Sequence, residues 1–245
     1  GIDIGSAEFI HLRLIEMLEE RGQLDRRTEG LAEAEAFRRR AADGAGLTRP
    51  ELAVLLSSAK LAIQDALEHS DVPDDAGLDD DLIAGFPSAM RTKFRKDILG
   101  HRLRKEIIAT RLSNRIVNRI GTIHPFELVE EEGASLAQVA AAFVAADRLF
   151  GLDEVWQRIE TAVMPEQARI MLMRKMSSAV RSHMADLLRI GAGLAPPSRT
   201  VAELADGVAQ LSRSLDSLLG SEARSQSARI VAELAEFGVP KAEAQ

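Results

Sequence analysis

Apolar residues recur along most of the chain at intervals of three and four, the spacing that places them on one face of an α-helix. The clearest example lies in residues 48–69 and consists of Leu52, Leu55, Leu56, Ala59, Ile63, Ala66 and Leu67. No run of β-branched residues alternates with polar ones, as a half-buried strand requires. The pattern therefore predicts an all-α protein, a multi-helix bundle of about ten to twelve helices with a C-terminal helical hairpin.

The segment GLTRPELAVLL, residues 46–56, contains the strongest helix-start signal in the chain. Thr48 is placed to cap the helix, and Glu51 completes a capping box in which each side chain satisfies a free backbone N–H. Pro50 falls in the first turn, where its missing N–H costs nothing. The same type of reading predicts further helices over residues 6–21, 31–42, 87–121 with a bend near Gly100, 124–132, 135–150, 152–163, 165–190, 198–219 and 222–237.

The segment GAGLAPP, residues 191–197, breaks the helical pattern. It divides the chain into a main helical domain (1–190), a Gly/Pro linker (191–197) and a helical hairpin tail (198–245). The first tail helix carries a seam with alternating steps of three and four, typical of coiled-coil pairing: Val201, Leu204, Val208, Leu211, Leu215 and Leu218. We favour pairing of this seam with the next helix through Ile230, Val231 and Leu234; a subunit interface is the alternative.

Charge is distributed unevenly. Residues 91–119 contain ten Lys or Arg residues against only Asp97 and Glu106, within a chain of formal net charge −7. Acidic runs flank this stretch at 71–81 and 127–132. Intramolecular ion pairing is therefore the favoured interpretation, ahead of a domain or subunit contact and of nucleic-acid binding, because Phe94 is the only aromatic residue in the stretch. The candidate contact residues are Arg91, Lys93, Arg95, Arg102, Arg104, Arg111 and Arg115.

Two amides in the same stretch share a predicted helix face with apolar residues. Eleven positions separate Leu103 from Asn114 and Ile107 from Asn118. Eleven steps of 100° around a helix return to within about 20° of the starting direction, so each asparagine lies on the same face as its apolar counterpart. Asn114 and Asn118 are therefore a candidate buried polar pair, which requires hydrogen-bond partners from a neighbouring helix.

Signatures of catalysis, cofactor binding and metal binding are missing from the sequence. Neither type of glycine-rich phosphate loop is present, and the five histidines have no zinc-ligand spacing. Residues 71–81 do not fit a calcium loop, since Pro73 occupies a ligand position, and a solvated acidic loop is expected instead. We therefore predict no catalytic, cofactor-binding or metal-binding residue in this chain.

The compartment is predicted from cysteine content and hydropathy. The chain has 245 residues and no cysteine, which favours a reducing cytoplasm. No apolar stretch approaches the length of a membrane span, and no signal peptide is visible. The chain begins Gly1-Ile2-Asp3 rather than with Met, which suggests a fragment or a processed product.

Several segments in order resemble the C-terminal helical region of the large bacterial NAD-specific glutamate dehydrogenases. They are LEERGQLDR (18–26), GLTRPELAVLLSSAKLAIQDAL (46–67), SDVPDD (70–75), FPSAMRTKF (86–94), GHRLRKEIIATRLSNRIVNRIG (100–121), EEGAS (131–135), FGLDEVW (150–156) and GVP (238–240). Residues 46–121 carry the most specific likeness, whereas the part after Pro165 matches mainly in helical character.

The resemblance implies that a parent polypeptide oxidatively deaminates L-glutamate to 2-oxoglutarate with NAD. It also implies that the catalytic and NAD-binding segments lie N-terminal to this chain, which is then an accessory helical domain with a structural, oligomerisation or regulatory role. The implied partners are that N-terminal catalytic domain and other copies in a homo-oligomer, with neither nucleic acid nor membrane. A free-standing helical interaction module, unrelated to dehydrogenase chemistry, is the alternative.

Overall fold

A computed structural model describes the backbone of residues 4–240 and the side chains of residues 10–215 and 217–240. Within these residues the chain forms thirteen α-helices and three 3-10 turns, and no strand, which confirms the all-α prediction. The opening Gly1-Ile2-Asp3 lies outside the described residues. Contacts divide the chain into two compact units, one ending at Ala140 and the other beginning at Ala141. The predicted division at 191–197 stays a prediction.

Most helices lie where the sequence predicts them, and the helix predicted over 124–132 has those bounds. The single bent helix predicted over 87–121 is instead three separate helices. They are α1 (Ile4–Glu20), α2 (Ala34–Ala42), α3 (Arg49–Glu68), α4 (Asp79–Ala84), α5 (Ser88–Arg91), α6 (Arg95–Leu99), α7 (Arg104–Ile120), α8 (His124–Glu132), α9 (Leu136–Leu149), α10 (Leu152–Thr161), α11 (Glu166–Arg189), α12 (Pro197–Leu218) and α13 (Ser221–Glu236). The 3-10 turns are Val72–Asp74, Ala76–Leu78 and Ala192–Leu194.

The start of α3 is built as the sequence predicts. The Thr48 N–H donates to Glu51 Oε2 at 2.7 Å, and the Glu51 N–H donates to Thr48 Oγ1 at 3.4 Å, which completes the capping box. The Glu51 carboxylate has a second role, because it also accepts two hydrogen bonds from the Arg40 guanidinium, at 2.9 and 2.8 Å. One carboxylate therefore both caps α3 and ties it to α2.

The core of the first unit is the contact between α3 and α7. Small residues lie on the buried face of each helix, Ser58, Ala59 and Ala62 on α3 and Ala109 and Ser113 on α7. Small side chains let the two backbones approach closely, while larger apolar residues fill the space beside them. These larger residues are Leu55, Ile63 and Leu67 on α3 and Ile108, Leu112, Ile116, Val117 and Ile120 on α7.

The second unit contains most of α9 together with α10 to α13. Residues 139–147 of α9 are buried on every side of the helix, as expected for a helix that is apolar all round. Helix α13 packs against α11, where Lys175 Nζ lies 3.0 Å from Glu233 Oε2. The first turn of α12 is fixed by the buried Thr200 hydroxyl, which donates to the Ala192 carbonyl at 3.2 Å.

We expect Glu51→Gln to lower the free energy of unfolding at pH 7 by about 1–3 kcal/mol, because glutamine keeps the cap but loses the charged pair with Arg40. Hydrogen bonds from Arg40 and Thr48 lower the pKa of Glu51 from 4.5 to about 2. Since this pKa is depressed on folding, the stabilisation is complete above pH 4.5 and is lost as the pH falls towards 2.

Urea unfolding of both proteins between pH 7 and pH 2.5 measures this effect. The exposed Glu29→Gln is the matched control and should leave stability within about 0.5 kcal/mol of the parent at every pH. A Glu51→Gln difference that does not shrink at low pH would contradict the role assigned to the charge.

Candidate functional site

The basic stretch and the acidic connector are brought together by the side chain of Arg104, in the first turn of α7. Its Nε donates to the Pro73 carbonyl at 3.0 Å and its Nη2 to the Asp75 carbonyl at 3.0 Å. Its Nη1 lies 2.7 Å from Asp79 Oδ1 in the first turn of α4. One guanidinium therefore binds both 3-10 turns of the connector and the start of the next helix.

Further cations of α7 reinforce this arrangement. Lys105 Nζ lies 2.8 Å from Asp74 Oδ2 and donates to the Ser70 carbonyl at 3.1 Å, and the Asp74 carboxylate raises the pKa of Lys105. Arg115 Nη1 lies 2.6 Å from Asp81 Oδ1. The connector is thus a folded element bound to α7 rather than the solvated loop that the sequence suggested, because neighbouring cations neutralise its carboxylates.

Of the seven candidate contact residues, Arg104 and Arg115 are used inside the first unit, and so is Arg91. Arg91 donates from Nε to the Phe86 carbonyl at 2.7 Å and from Nη2 to the Ala84 carbonyl at 3.1 Å. Arg95 makes a looser, exposed pair with Asp80 at 3.6 Å. Lys93, Arg102 and Arg111 have exposed side chains.

The segment from Met90 to Leu103 therefore presents a surface that is both basic and apolar, which we call the 90–103 surface. It contains five Lys or Arg residues and one Asp. Three of its five large apolar side chains are exposed, namely Met90, Phe94 and Leu103. Lys93 Nζ lies 5.2 Å from the centre of the Phe94 ring. Methionine, aromatic residues and arginine are the types enriched in protein–protein interfaces.

The prediction of a buried polar pair at Asn114 and Asn118 is wrong. Asn118 is exposed, and Asn114 is half-buried and donates from Nδ2 to the Thr110 carbonyl of its own helix at 2.7 Å. The two amides do share a face with Leu103 and Ile107, but Leu103 is exposed and Ile107 only half-buried. Helix α7 instead buries the stripe that begins at Ile108 and Leu112.

The tail seam on α12 is not covered in the way that we favoured from the sequence. Leu211, Leu215 and Leu218 are 56%, 46% and 64% exposed, while Val201, Leu204 and Val208 are half-buried. The residues expected to cover them lie elsewhere, since Ile230 and Leu234 of α13 line a groove on α11. The physical reason is that α11 offers α13 an apolar surface of its own, including Met171, Leu172 and Met176.

The groove between α10, α11 and α13 has a volume of about 790 Å³. Its apolar lining includes Met171 and Met176. Arg158, Arg174 and Lys175 also line it. Sequence periodicity did not identify this groove, although the concentration of methionines on one helix was an available signal.

The described residues contain neither a metal-binding cluster nor a membrane-spanning helix. No three His, Cys, Asp or Glu side chains among residues 10–215 and 217–240 are placed to hold a metal ion. None of the described helices combines the length and apolar character that crossing a bilayer needs.

A family model described as glutamate dehydrogenase, C-terminal, matches residues 44–245. Among curated proteins, the NAD-specific glutamate dehydrogenase of Halomonas elongata is 33% identical over 94% of this chain, and that of Pseudomonas aeruginosa is 35% identical over 86%. The NAD-specific glutamate dehydrogenase of Mycobacterium tuberculosis is 33% identical over 64% of the chain. The matches span only 14%, 13% and 10% of the lengths of these three relatives.

We expect Arg104→Ala to lower the free energy of unfolding of the first unit by about 2–4 kcal/mol, because two carbonyls and Asp79 lose a charged donor. Arg104→Lys should give an intermediate loss, since an ammonium cannot reproduce the guanidinium fork. Urea unfolding gives the size of the effect, and hydrogen exchange at the amides of Asp74, Asp75 and Leu78 shows whether it is local.

The matched control is Arg102→Ala, which removes an exposed arginine two residues away and should change stability by less than about 0.5 kcal/mol. Equal losses for Arg102→Ala and Arg104→Ala would mean that charge density, not the specific hydrogen bonds, stabilises the connector.

Proposed function

This chain belongs to the glutamate dehydrogenase C-terminal family, and we propose that it is the non-catalytic helical domain of an NAD-dependent glutamate dehydrogenase. The observation that carries this proposal is the difference in length between this chain and its relatives. The match covers most of this chain but only about one seventh of the Halomonas elongata relative. The oxidative deamination of L-glutamate to 2-oxoglutarate, and the NAD that accepts the hydride, are accordingly assigned to the remainder of the parent polypeptide.

The geometry of the first unit supports a scaffolding role. Its charged residues are used largely to hold its own elements together, as in the contacts of Arg104 with Pro73, Asp75 and Asp79. The strongly lowered pKa of Glu51 has the same kind of cause, since the carboxylate is held by Arg40 and by the start of α3. Structural ion pairs perturb pKa values as catalytic sites do, so this shift supports a structural function.

We propose that the 90–103 surface binds the remainder of the same polypeptide. An exposed combination of Met90, Phe94 and Leu103 favours burial against a partner. Lys93 and Arg102 lie in the same segment and favour a partner surface that carries carboxylates. Of the seven candidate contact residues, the exposed Lys93, Arg95 and Arg102 lie on this surface, together with the neighbouring Lys96.

The first test separates catalysis from support. The 245-residue chain, mixed with L-glutamate and NAD, should produce no NADH, while the complete parent polypeptide should produce it. The remainder of the parent, expressed without residues 1–245, should regain activity or stability when this chain is added in trans. Turnover by the chain alone would overturn the proposal, and so would full activity and unchanged stability of the remainder without it.

The second test concerns the contact surface. In the trans experiment, we expect combined replacement of Lys93, Lys96 and Arg102 by Glu to weaken binding to the remainder at least about tenfold, because attraction becomes repulsion. The matched control reverses Arg27, Arg38 and Arg39, which are exposed on the same unit. Calorimetry or surface plasmon resonance measures both, and equal weakening by the control would argue against a specific surface.

A further inference from the structure

The groove between α10, α11 and α13 has the size and the lining of a small-molecule site. Its volume of about 790 Å³ falls within the range of roughly 300–1,000 Å³ that is typical of ligand pockets, which often lie between the helices of a bundle. All the residues that line it belong to the second compact unit. Most of them are apolar, namely Val155, Ile159, Met171, Leu172, Met176, Ala179, Ile230 and Leu234.

The apolar lining combines buried and accessible side chains. Ile159 and Leu172 are buried, whereas Met171 and Met176 are half-buried and Ala179 is exposed. A ligand that covers the accessible side chains removes apolar surface from water, which favours binding. Methionine side chains adapt to irregular shapes, so two of them allow the groove to fit a flexible hydrocarbon.

The wall formed by α13 is fixed at its C-terminal end. Leu234 and Val239 are buried, while residues 221–230 are exposed. The Val239 N–H donates to the Leu234 carbonyl at 3.0 Å, in a turn that Gly238 permits through its φ of +89°. The turn packs closely on the start of α11, because a Cβ at Gly238 would lie 3.1 Å from Pro165 Cγ. The groove is therefore formed before any ligand arrives.

The charged side chains of the groove favour an anion. Three cations, Arg158, Arg174 and Lys175, line it against one carboxylate, Glu233. Lys175 Nζ lies 3.0 Å from Glu233 Oε2, so the pair neutralises one cation and two remain in excess. This local excess stands out in a chain of formal net charge −7. Guanidinium groups bind carboxylates and phosphates through paired hydrogen bonds, which makes these two anions the fitting headgroups.

The length of the groove favours a small molecule over a protein partner. Its lining on α11 runs from Met171 to Ala179, which spans about 12 Å along the helix axis. That length equals about two turns of a partner helix, too few for a specific helix-in-groove contact. Arg174 lies between Met171 and Met176 in the same stretch, so one ligand contacts both the apolar and the charged residues.

We propose that this groove binds a small amphipathic anion, a molecule with a hydrocarbon body and one carboxylate or phosphate headgroup. The body packs on Met171, Leu172 and Met176, and the headgroup pairs with Arg174 and Arg158. This inference goes beyond the proposed dehydrogenase function and does not rest on it, because its argument uses only the lining of a groove within the second unit.

Calorimetric titration of the 245-residue chain with decanoate tests the site directly. We expect a dissociation constant of about 0.1 mM, a value within reach of a ligand of this size. Hexanoate should bind at least about tenfold more weakly, because four methylene groups leave the apolar lining. The cationic decyltrimethylammonium should bind at least about tenfold more weakly too, since the groove would repel its headgroup. Absence of decanoate binding up to about 2 mM, or equal binding of the cation, would overturn the proposal.

Decyl phosphate distinguishes the two headgroups, which natural ligands present as free carboxylates or as phosphate-bearing lipids. Tighter binding than decanoate assigns a phosphate headgroup, and weaker binding assigns a carboxylate. Either result supports the site only if the groove variants described next lose affinity for the tighter probe.

Two substitutions locate the binding. Ala179→Phe fills the groove from an exposed position and should weaken binding at least about tenfold, while Ala202→Phe, at an exposed alanine of α12, should not. Arg174→Glu reverses a charge in the groove and should weaken binding at least about fivefold.

The matched control for the charge reversal is Arg102→Glu, which alters the basic and apolar 90–103 surface of the other unit. It should bind decanoate as the wild type does. Far-ultraviolet circular dichroism checks that each variant keeps its helices. Unchanged affinity in both Ala179→Phe and Arg174→Glu, or an equal loss in Arg102→Glu, would place the ligand outside the groove and refute the proposal.

Discussion

The geometry of the first unit depends on the fork of donors in the Arg104 side chain. Short 3-10 turns leave backbone carbonyls without partners, and the connector has two such turns in succession. A single guanidinium donates to the Pro73 carbonyl in the first turn and to the carbonyl of Asp75, the residue that joins the two turns, and it pairs with Asp79 beyond them. The position of α4 against α7 follows, and Gly85 fits there because a Cβ would lie 3.3 Å from side-chain atoms of both Ile107 and Arg111.

The same interactions decide which charges remain available to a partner. Residues 91–119 look like one basic stripe in sequence, yet Arg91, Arg104, Lys105 and Arg115 are bound within the unit. The exposed cations Lys93, Arg95, Lys96 and Arg102 lie in α6 or in the segments on either side of it, in the same stretch as Met90, Phe94 and Leu103. A basic surface on an acidic chain therefore arises because its own acidic connector neutralises one end of the stripe and not the other.

Local chemistry explains what the sequence predicted correctly. The cap at Thr48 and the ion pairing of residues 71–81 with α7 involve groups close in sequence or of obvious opposite charge. The prediction failed where it required the burial of a particular face. Asn114 and Asn118 lie beside the buried stripe of α7, and a shift of one position, from Ile107 to Ile108, separates the two faces. Likewise, nothing in α12 or α13 alone specifies that α13 packs on α11, because that choice depends on the apolar surface of a third helix.

The chain thus exposes two apolar surfaces, one with basic and one with uncharged surroundings, and this difference constrains their partners. If the 90–103 surface met its own counterpart, five cations on each side would face one another with only Asp97 to offset them, and such like-charge contacts cost several kcal/mol. The seam of α12 carries no such penalty, since Ala205, Gly207, Ser212 and Ser214 flank it. Self-association is therefore unfavourable at residues 90–103, where a partner must supply carboxylates of its own.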